Sequence, residues 1–292
     1  WRVVFEGTSY WWASLARNKK FITLDLSKEE GRKIFRKLAD QSDVLVENFK
    51  PGTMEKWGVD PASLEKTNAK LIYARISGYG QTGPYAKKAG FASVCEAFGG
   101  FRYVNGFPGE KPVRPNLSIG DTLAGIHAAM GVLLALIQRE KDGKGQIVDV
   151  AIFEAIFNLL EAVIPEYSGS GLIRQPSGST ITGIAPTNTY ICQDGKYIVI
   201  GANTDSMFKR LAEAMGKPEI GLDQRMSDNA GRLEVQQELD DTIENWTKSL
   251  SAQEALAKLD EYSFAAGPIY DARDMMEDPQ FKARNLFQNV TI

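Results

Sequence analysis

The 292 residues include one histidine, His127, and two cysteines, Cys95 and Cys192. A single imidazole leaves no histidine pair to hold zinc and argues against a Ser–His–Asp triad. The cysteines show no metal-ligand spacing, and usage this sparse suits a reducing compartment better than a secreted disulfide scaffold. No unbroken run of eighteen apolar residues occurs, so no segment is expected to span a membrane. Neither GxxxxGK[ST] nor a GxGxxG after a strand is present, which removes support for nucleotide phosphate cradles of those two kinds. A formal charge of −3 lacks the clustered basic excess of a nucleic-acid footprint. There is no initiator methionine either: the chain opens at Trp1 and reads as a fragment lacking both natural ends. Any targeting peptide would lie in the missing front, so the expectation is an intracellular site, cytoplasm or mitochondrial matrix.

What remains is an ordinary globular composition, 43% hydrophobic and 24% charged, on a chain long enough for two domains with a real core. KFITLDL (20–26) reads as a strand, followed by a capping box from Ser27 to Glu30 that opens a helix. DVLVENF (43–49) and LIYARIS (71–77) read as further strands, with short helical segments at PGTMEKWG and PASLEKTNAK between them. A long helix following Asp121 ends in the turn KDGKG; QIVDVAI (146–152) is a strand and FEAIFNLLEAVI a helix. Strand and helix in alternation predict an α/β domain with a parallel sheet over residues 1–164. Gly, Ser, Thr and Pro then dominate residues 165–187, which read as a linker or functional loop. A hairpin around Asp194-Gly195, the amphipathic helix TDSMFKRLAEAMG and a second capping box, Ser251 to Glu254, predict a smaller α+β domain over 188–270. Residues 271–292 would begin a return to the first domain.

Asp121 stands alone at the mouth of its helix, in SIGDTLAG. An aspartate there serves as an N-cap, accepting hydrogen bonds from free N–H groups at the positive end of the helix dipole. The same geometry also holds an ionised carboxylate fixed and exposed, ready to attack an electrophile. His127, six residues on among alanines, reads as a satisfied helix histidine. SGYGQTGPY (77–85) is a tight turn after a strand, where a ligand can approach the backbone. Single lysines are usually solvated surface charges. However, Asn48, Lys50 and Lys56 would fall beyond the carboxyl ends of strands, where doubly wound sheets bind ligands, and two basic clusters at one sheet edge suit an anion.

VENFKPGTMEKWG, ISGYGQTGPYAKKAGF, SIGDTLAG with its long helix, and GKGQIVDVAIFEA, in that order and spacing, resemble the class III coenzyme A transferases. These form a superfamily with the α-methylacyl-CoA racemases. The resemblance runs from about Arg17 to Arg284, and APTNTYICQDGKYIVIGA and GPI…DPQF look like the family's smaller domain. It implies a Rossmann-like large domain, an interlocked homodimer, and Asp121 as nucleophile. Asp121 would attack an acyl-CoA thioester to give a mixed anhydride and then become an aspartyl-CoA thioester, before CoA passes to an acceptor carboxylate. A carboxylate nucleophile needs no activating base, so the missing histidines are no obstacle. The resemblance further places CoA contacts at Leu24, Asn48, Phe49, Lys50, Thr53 and Lys56, and a mobile loop over the acyl group at SGSTITG, which contains Gly178. No permanently bound cofactor or metal is implied; the partners are acyl-CoA and small carboxylic acids, with no nucleic acid and no membrane.

Two departures discriminate. The racemases carry a histidine where this chain has Phe91, so acid/base work on that side has no agent and transferase is preferred to racemase. Many transferases carry an acid next to that position, where this chain has Ala92, and this leaves the acceptor unnamed. A catalytically idle CoA-binding protein is the reading of another class; a thioester at Asp121 would separate the two. Lys87, Lys88, Arg102 and Arg114 are unplaced basic residues, and dicarboxylic or branched short-chain acids are the expected substrate class.

Overall fold

The computed structural model of the chain describes residues 2–289. They sort into two compact units, one holding the chain up to Gly106 together with Glu110–Pro176, the other Phe107–Gly109 and the chain from Ser177 onward. The first unit opens with a short antiparallel pair, β1 (Val4–Phe5) and β2 (Thr8–Ser9), leading into α1 (Tyr10–Ala16). The strand expected at 20–26 does not form. Ile22, Leu24 and Leu26 do alternate, and they line an apolar groove with Phe35, Leu38 and Leu45. Alternation reports which side is apolar, whereas a strand needs a hydrogen-bonded neighbour, and the segment joins no sheet among the described residues. The capping box at Ser27 also fails: Ser27 N–H and Oγ–H both donate to Asp25 Oδ1, at 2.9 and 2.6 Å. The helix α2 (Glu29–Asp40) therefore starts after an uncapped Lys28.

Next come β3 (Val44–Glu47), α3 (Thr53–Trp57), α4 (Pro61–Leu64), β4 (Ile72–Ser77), α5 (Ala92–Phe98), α6 (Phe101–Val104), α7 (Ile119–Asp142), β5 (Ile147–Ala151), α8 (Ile152–Phe157) and α9 (Val163–Ser170). The three strands pair in parallel in the order β3-β4-β5, with Glu47 opposite Arg75 and Ser77 opposite Ala151. Both faces are covered, as a parallel sheet requires. Tyr73 packs with Leu45 of β3 and with Met54, Val59 and Leu64 from the α2–α4 layer. Ile76 packs into a second cluster with Cys95, Ala124, Val150 and Ala155 from α5, α7, β5 and α8. The result is a mixed α/β fold. The expected linker at 165–187 is corrected at its start, which lies within α9; Pro165 is tolerated there because the first helical turn needs no donated N–H. The change of unit falls between Pro176 and Ser177.

α7 corrects one further expectation. Its N-cap is Ser118, so Asp121 is the third helical residue and does not cap the helix. By length and composition alone α7 is apolar enough for a membrane span, a test that core helices also pass, yet its apolar residues form no unbroken run, as the sequence shows. Gly120, Ala124, Ala128 and Ala135 are its buried residues, while Ile126, Met130, Leu133, Leu134 and Ile137 stay exposed. His127 is satisfied as expected, with Nδ1 2.8 Å from Leu123 O.

In the second unit β6 (Thr187–Ile191), β7 (Tyr197–Gly201) and β8 (Ala266–Pro268) form an antiparallel sheet in that order. The hairpin turns at Gly195, at φ 77°. The helices are α10 (Asp205–Ala214), α11 (Asn229–Glu234), α12 (Gln236–Thr247), α13 (Ala252–Glu261), α14 (Ala272–Glu277) and α15 (Pro279–Ala283). α10, α12 and α13 bury Phe208, Leu211, Leu239, Ile243 and Leu259 with Ile198 and Ile200 of β7. The capping box at Ser251 and Glu254 is present. The last residues of the 271–292 segment lie outside the described residues.

Candidate active site

The carboxyl ends of β3 and β4 and the N-terminal turn of α7 open onto a cleft of about 560 Å³, lined by Asn48, Phe49, Lys50, Ser77, Lys88, Phe91 and Asp121 among others. Four residues singled out in the sequence for CoA and acyl contacts or catalysis (Asn48, Phe49, Lys50 and Phe91) thus share one cavity with Asp121. Leu24 lines the neighbouring apolar groove, which meets the cleft through Phe49. Thr53 and Lys56 sit on α3, and neither lines the cleft. Gly178 belongs to the second unit, where its φ of 68° and a Phe107 ring 2.9 Å from where a Cβ would stand exclude a side chain.

The floor of the cleft is made by backbone that approaches closely. A Cβ on Gly78 would lie 2.9 Å from the Cα of Gly90, and one on Gly90 would lie 2.8 Å from the Tyr79 ring. This explains Gly78 and Gly90 of SGYGQTGPYAKKAGF, where two backbone segments pass and no side chain fits, while Gly80 and Gly83 serve the turn through positive φ. Cys95 Sγ ties the same turn from behind, donating to Gly78 O at 3.2 Å. On the rim, Lys88 Nζ lies 3.7 Å from the centre of the Tyr85 ring.

The turn bearing Asn48, Phe49 and Lys50 is held by a buried ion pair. Glu47 Oε2 accepts the Phe49 N–H at 2.7 Å, and its Oε1 accepts Arg75 Nε at 2.9 Å. Arg75 also donates to both oxygens of Glu55 on α3, at 2.7 and 3.2 Å. With the Glu47 and Arg75 side chains 2% and 8% exposed, neither can relax into water, so the turn is fixed before any ligand arrives.

Asp121 sits in a second polar cluster. Glu96, fully buried on α5, accepts the Gly120 N–H at 3.3 Å through Oε1. Its Oε2 receives Arg102 Nη2 at 3.2 Å and Arg114 Nε at 3.5 Å. Burial and the negative charge of Glu96 push the Asp121 carboxyl above the ordinary aspartate range, and Arg114 opposes them. Burial, with Asp121 and Glu96, pushes the Cys95 thiol up to about 11, so Cys95 stays a neutral thiol. Two oppositely acting neighbours leave Asp121 a solvent-reaching carboxyl that is harder to ionise than a free one.

Glu96, Glu47, Arg75 and Ser77 were not singled out in the sequence. The available signal was a single acid inside an apolar run: Glu96 in ASVCEAF and Glu47 in DVLVENF, each buried with a cation as such a residue must be. Among the described residues no group of three or more His, Cys, Asp and Glu is arranged to hold a metal ion.

The family profile of CoA-transferase family III matches residues 1–291. The chain is 48% identical over 280 residues to the succinyl-CoA–D-citramalate CoA-transferase of Chloroflexus aurantiacus, covering 96% of this chain and 70% of that protein. It is 42% identical over 277 residues to the alpha subunit of a succinyl-CoA–L-malate CoA-transferase from the same organism, covering 94% of this chain and 65% of that one. Among solved structures, a CaiB/BaiF family protein from Brucella suis superposes with a TM-score of 0.80 at 36% identity, covering 90% of this chain and 70% of that one. The chain belongs to CoA-transferase family III.

Proposed function

We propose that the protein moves coenzyme A from an acyl-CoA to a carboxylic acid, with Asp121 as the covalent nucleophile. The observation that carries this reading is the position of Asp121 in one cleft with Asn48, Phe49, Lys50 and Lys88. A raised carboxyl thus stands beside cationic and aromatic groups suited to the phosphates and adenine of CoA. Asp121 attacks the thioester carbonyl; the C–S bond breaks and CoA leaves as the thiolate. The thiolate attacks the aspartyl carbonyl of the anhydride, releasing the donor acid and leaving Asp121 as a CoA thioester. An acceptor carboxylate attacks that thioester, and the thiolate released then takes the acceptor's acyl group, restoring Asp121.

Each intermediate is an acyl derivative of one side chain, so no bound cofactor is required and acyl-CoA enters only as substrate. Asp121 stands in the first turn of α7, where the positive end of the helix dipole favours developing negative charge. Leu24, Thr53 and Lys56 extend the CoA contact beyond the cleft, and Phe91 borders the acyl group; Phe91 in place of a histidine favours transfer over racemisation. Relatives act on succinyl-CoA with citramalate or malate, which favours dicarboxylic acids here. The exposed face of α7 suits a homodimer, and the large unit is read as Rossmann-like within an intracellular enzyme.

Intact-mass spectrometry of the full-length protein with a panel of acyl-CoAs, followed by hydroxylamine, tests this reading. A hydroxamate mapping to Asp121 and absent from Asp121→Asn is the expected result. Tight CoA binding without any adduct would instead identify a non-catalytic binding protein.

A further inference from the structure

Two guanidiniums share one buried carboxylate beside Asp121. Glu96 gives a single oxygen to both Arg102 and Arg114. Arg102 is the fixed member, with Nη2 also donating to Ser93 Oγ at 2.7 Å, and its buried Nε makes no hydrogen bond. Arg114 is the free member. Its side chain is 45% exposed, and the long contact to Glu96 is its only ion pair among the described residues. Counted together, Glu96, Arg102 and Arg114 carry one surplus positive charge, which the Asp121 carboxylate balances in the free enzyme.

Acylation of Asp121 removes that balancing charge, because an anhydride or thioester is neutral. We propose that Arg114 then receives the far carboxylate of a dicarboxylic acyl group or acceptor, and that it is the residue that selects dicarboxylic over monocarboxylic acids. The inference rests on the covalent role of Asp121 proposed above. A planar guanidinium with unused N–H groups binds a carboxylate in two-pronged fashion, and a partly dry site makes that pairing stronger than in water. A monocarboxylic acyl group offers no anion at that point and leaves the surplus cation unpaired as the cleft fills. A site built around a polar partner rejects analogues that lack it far more strongly than an apolar pocket rejects a missing methylene. Because Arg114 keeps much of its contact with water, the discrimination expected is about 100-fold rather than the larger factors of closed sites.

Single-turnover acylation of the full-length protein, trapped with hydroxylamine, compares succinyl-CoA with butyryl-CoA, which has a methyl group in place of the far carboxylate. The wild type should acylate Asp121 about 100-fold faster with succinyl-CoA. Arg114→Gln should lose most of that factor with succinyl-CoA and stay within about threefold of wild type with butyryl-CoA, while Arg114→Lys keeps part of the preference. Equal losses with both donors, or a wild type without preference, would overturn the assignment of Arg114 and leave Asp121 as nucleophile. A wild type that no acyl-CoA acylates would overturn the covalent reading and this inference with it.

Discussion

Gly120 donates its backbone N–H to Glu96 Oε1 at 3.3 Å, one residue before Asp121. A carboxylate buried on α5 thus anchors the first turn of the helix that presents a second carboxylate to the cleft. The arrangement fixes the turn and also makes ionisation of Asp121 harder, since like charges in a partly dry site repel.

That repulsion has a pH signature. The carboxyl of Asp121 is held above its ordinary value of 3.8, first by burial and then by Glu96. On the proposed mechanism its ionised form is the nucleophile, so the acid limb of the acylation rate should have its midpoint above 3.8. The folded state also holds this proton more tightly than the unfolded chain. The residue's contribution to stability is therefore complete below the ordinary value and lost as pH rises through the raised one. Asp121→Asn should unfold at a higher temperature than wild type at pH 7, with the difference vanishing near pH 3.5, while acylation is abolished. Thermal unfolding at the two pH values checks this, and equal melting temperatures at pH 7 would contradict it.

Glu96→Gln separates the two effects of Glu96. Removing the negative charge should move the acid limb of acylation downward, toward the ordinary aspartate range. It also leaves Arg102 and Arg114 without their counter-charge. Breaking a fully buried pair costs about 3–5 kcal/mol. Here the arginine side chains are 22% and 45% exposed and can turn toward water, so a loss of about 1–3 kcal/mol is expected by urea unfolding. An acid limb that does not move would show that Glu96 acts on Asp121 through structure alone.

The layered α/β order was legible in the sequence because β3, β4 and β5 are apolar runs bounded by turn residues, and the capping box at Ser251 was legible because both its partners are local. Lys20–Leu26 misled because its alternation is real while it finds no strand to pair with among the described residues; pairing is a long-range property. Ser27 misled because Asp25, two residues back, competes for the same hydroxyl and N–H. Asp121 was found by motif, but its role as third helical residue was not, since one turn more or less of helix depends on Gly120 packing against Ala92 and Ile152. Glu96 and Glu47 escaped notice because their arginine partners lie 6, 18 and 28 residues away in sequence. Burial turned two unremarkable acids into the frame of the cleft.

Glu47 tests whether that frame matters for binding. Glu47→Gln keeps an acceptor for the Phe49 N–H yet weakens the pairing with Arg75, while Glu47→Ala removes both contacts. The alanine variant should lose about 3 kcal/mol or more of stability, since Arg75 is left buried with only Glu55 to meet it. The glutamine variant should stay folded, raise the KM for acyl-CoA several-fold and leave kcat little changed, because the turn it loosens is proposed to contact CoA and not the reacting carbonyl. A fall in kcat at unchanged KM would place the Asn48–Lys50 turn at the chemistry instead.

Ser77 gives the opposite pattern. It ends β4 opposite Ala151 and lines the cleft, with its hydroxyl buried and unpaired in the ligand-free chain. A buried polar group without a partner costs about 1–3 kcal/mol, and native proteins keep such groups where something pays in function. Tyr73, Arg75 and Ser77 alternate onto one side of β4, the side of Glu47, so on the proposed reading the ligand that satisfies the hydroxyl is the CoA portion of the substrate. Ser77→Ala should therefore leave the ligand-free protein as stable as wild type or more so, by up to about 1 kcal/mol. The same change should weaken CoA binding roughly three- to tenfold, the value of one ordinary hydrogen bond. Calorimetric titration with CoA and urea unfolding of the same two proteins measure both sides. A destabilised variant with unchanged CoA affinity would make Ser77 a packing residue and remove it from the binding site.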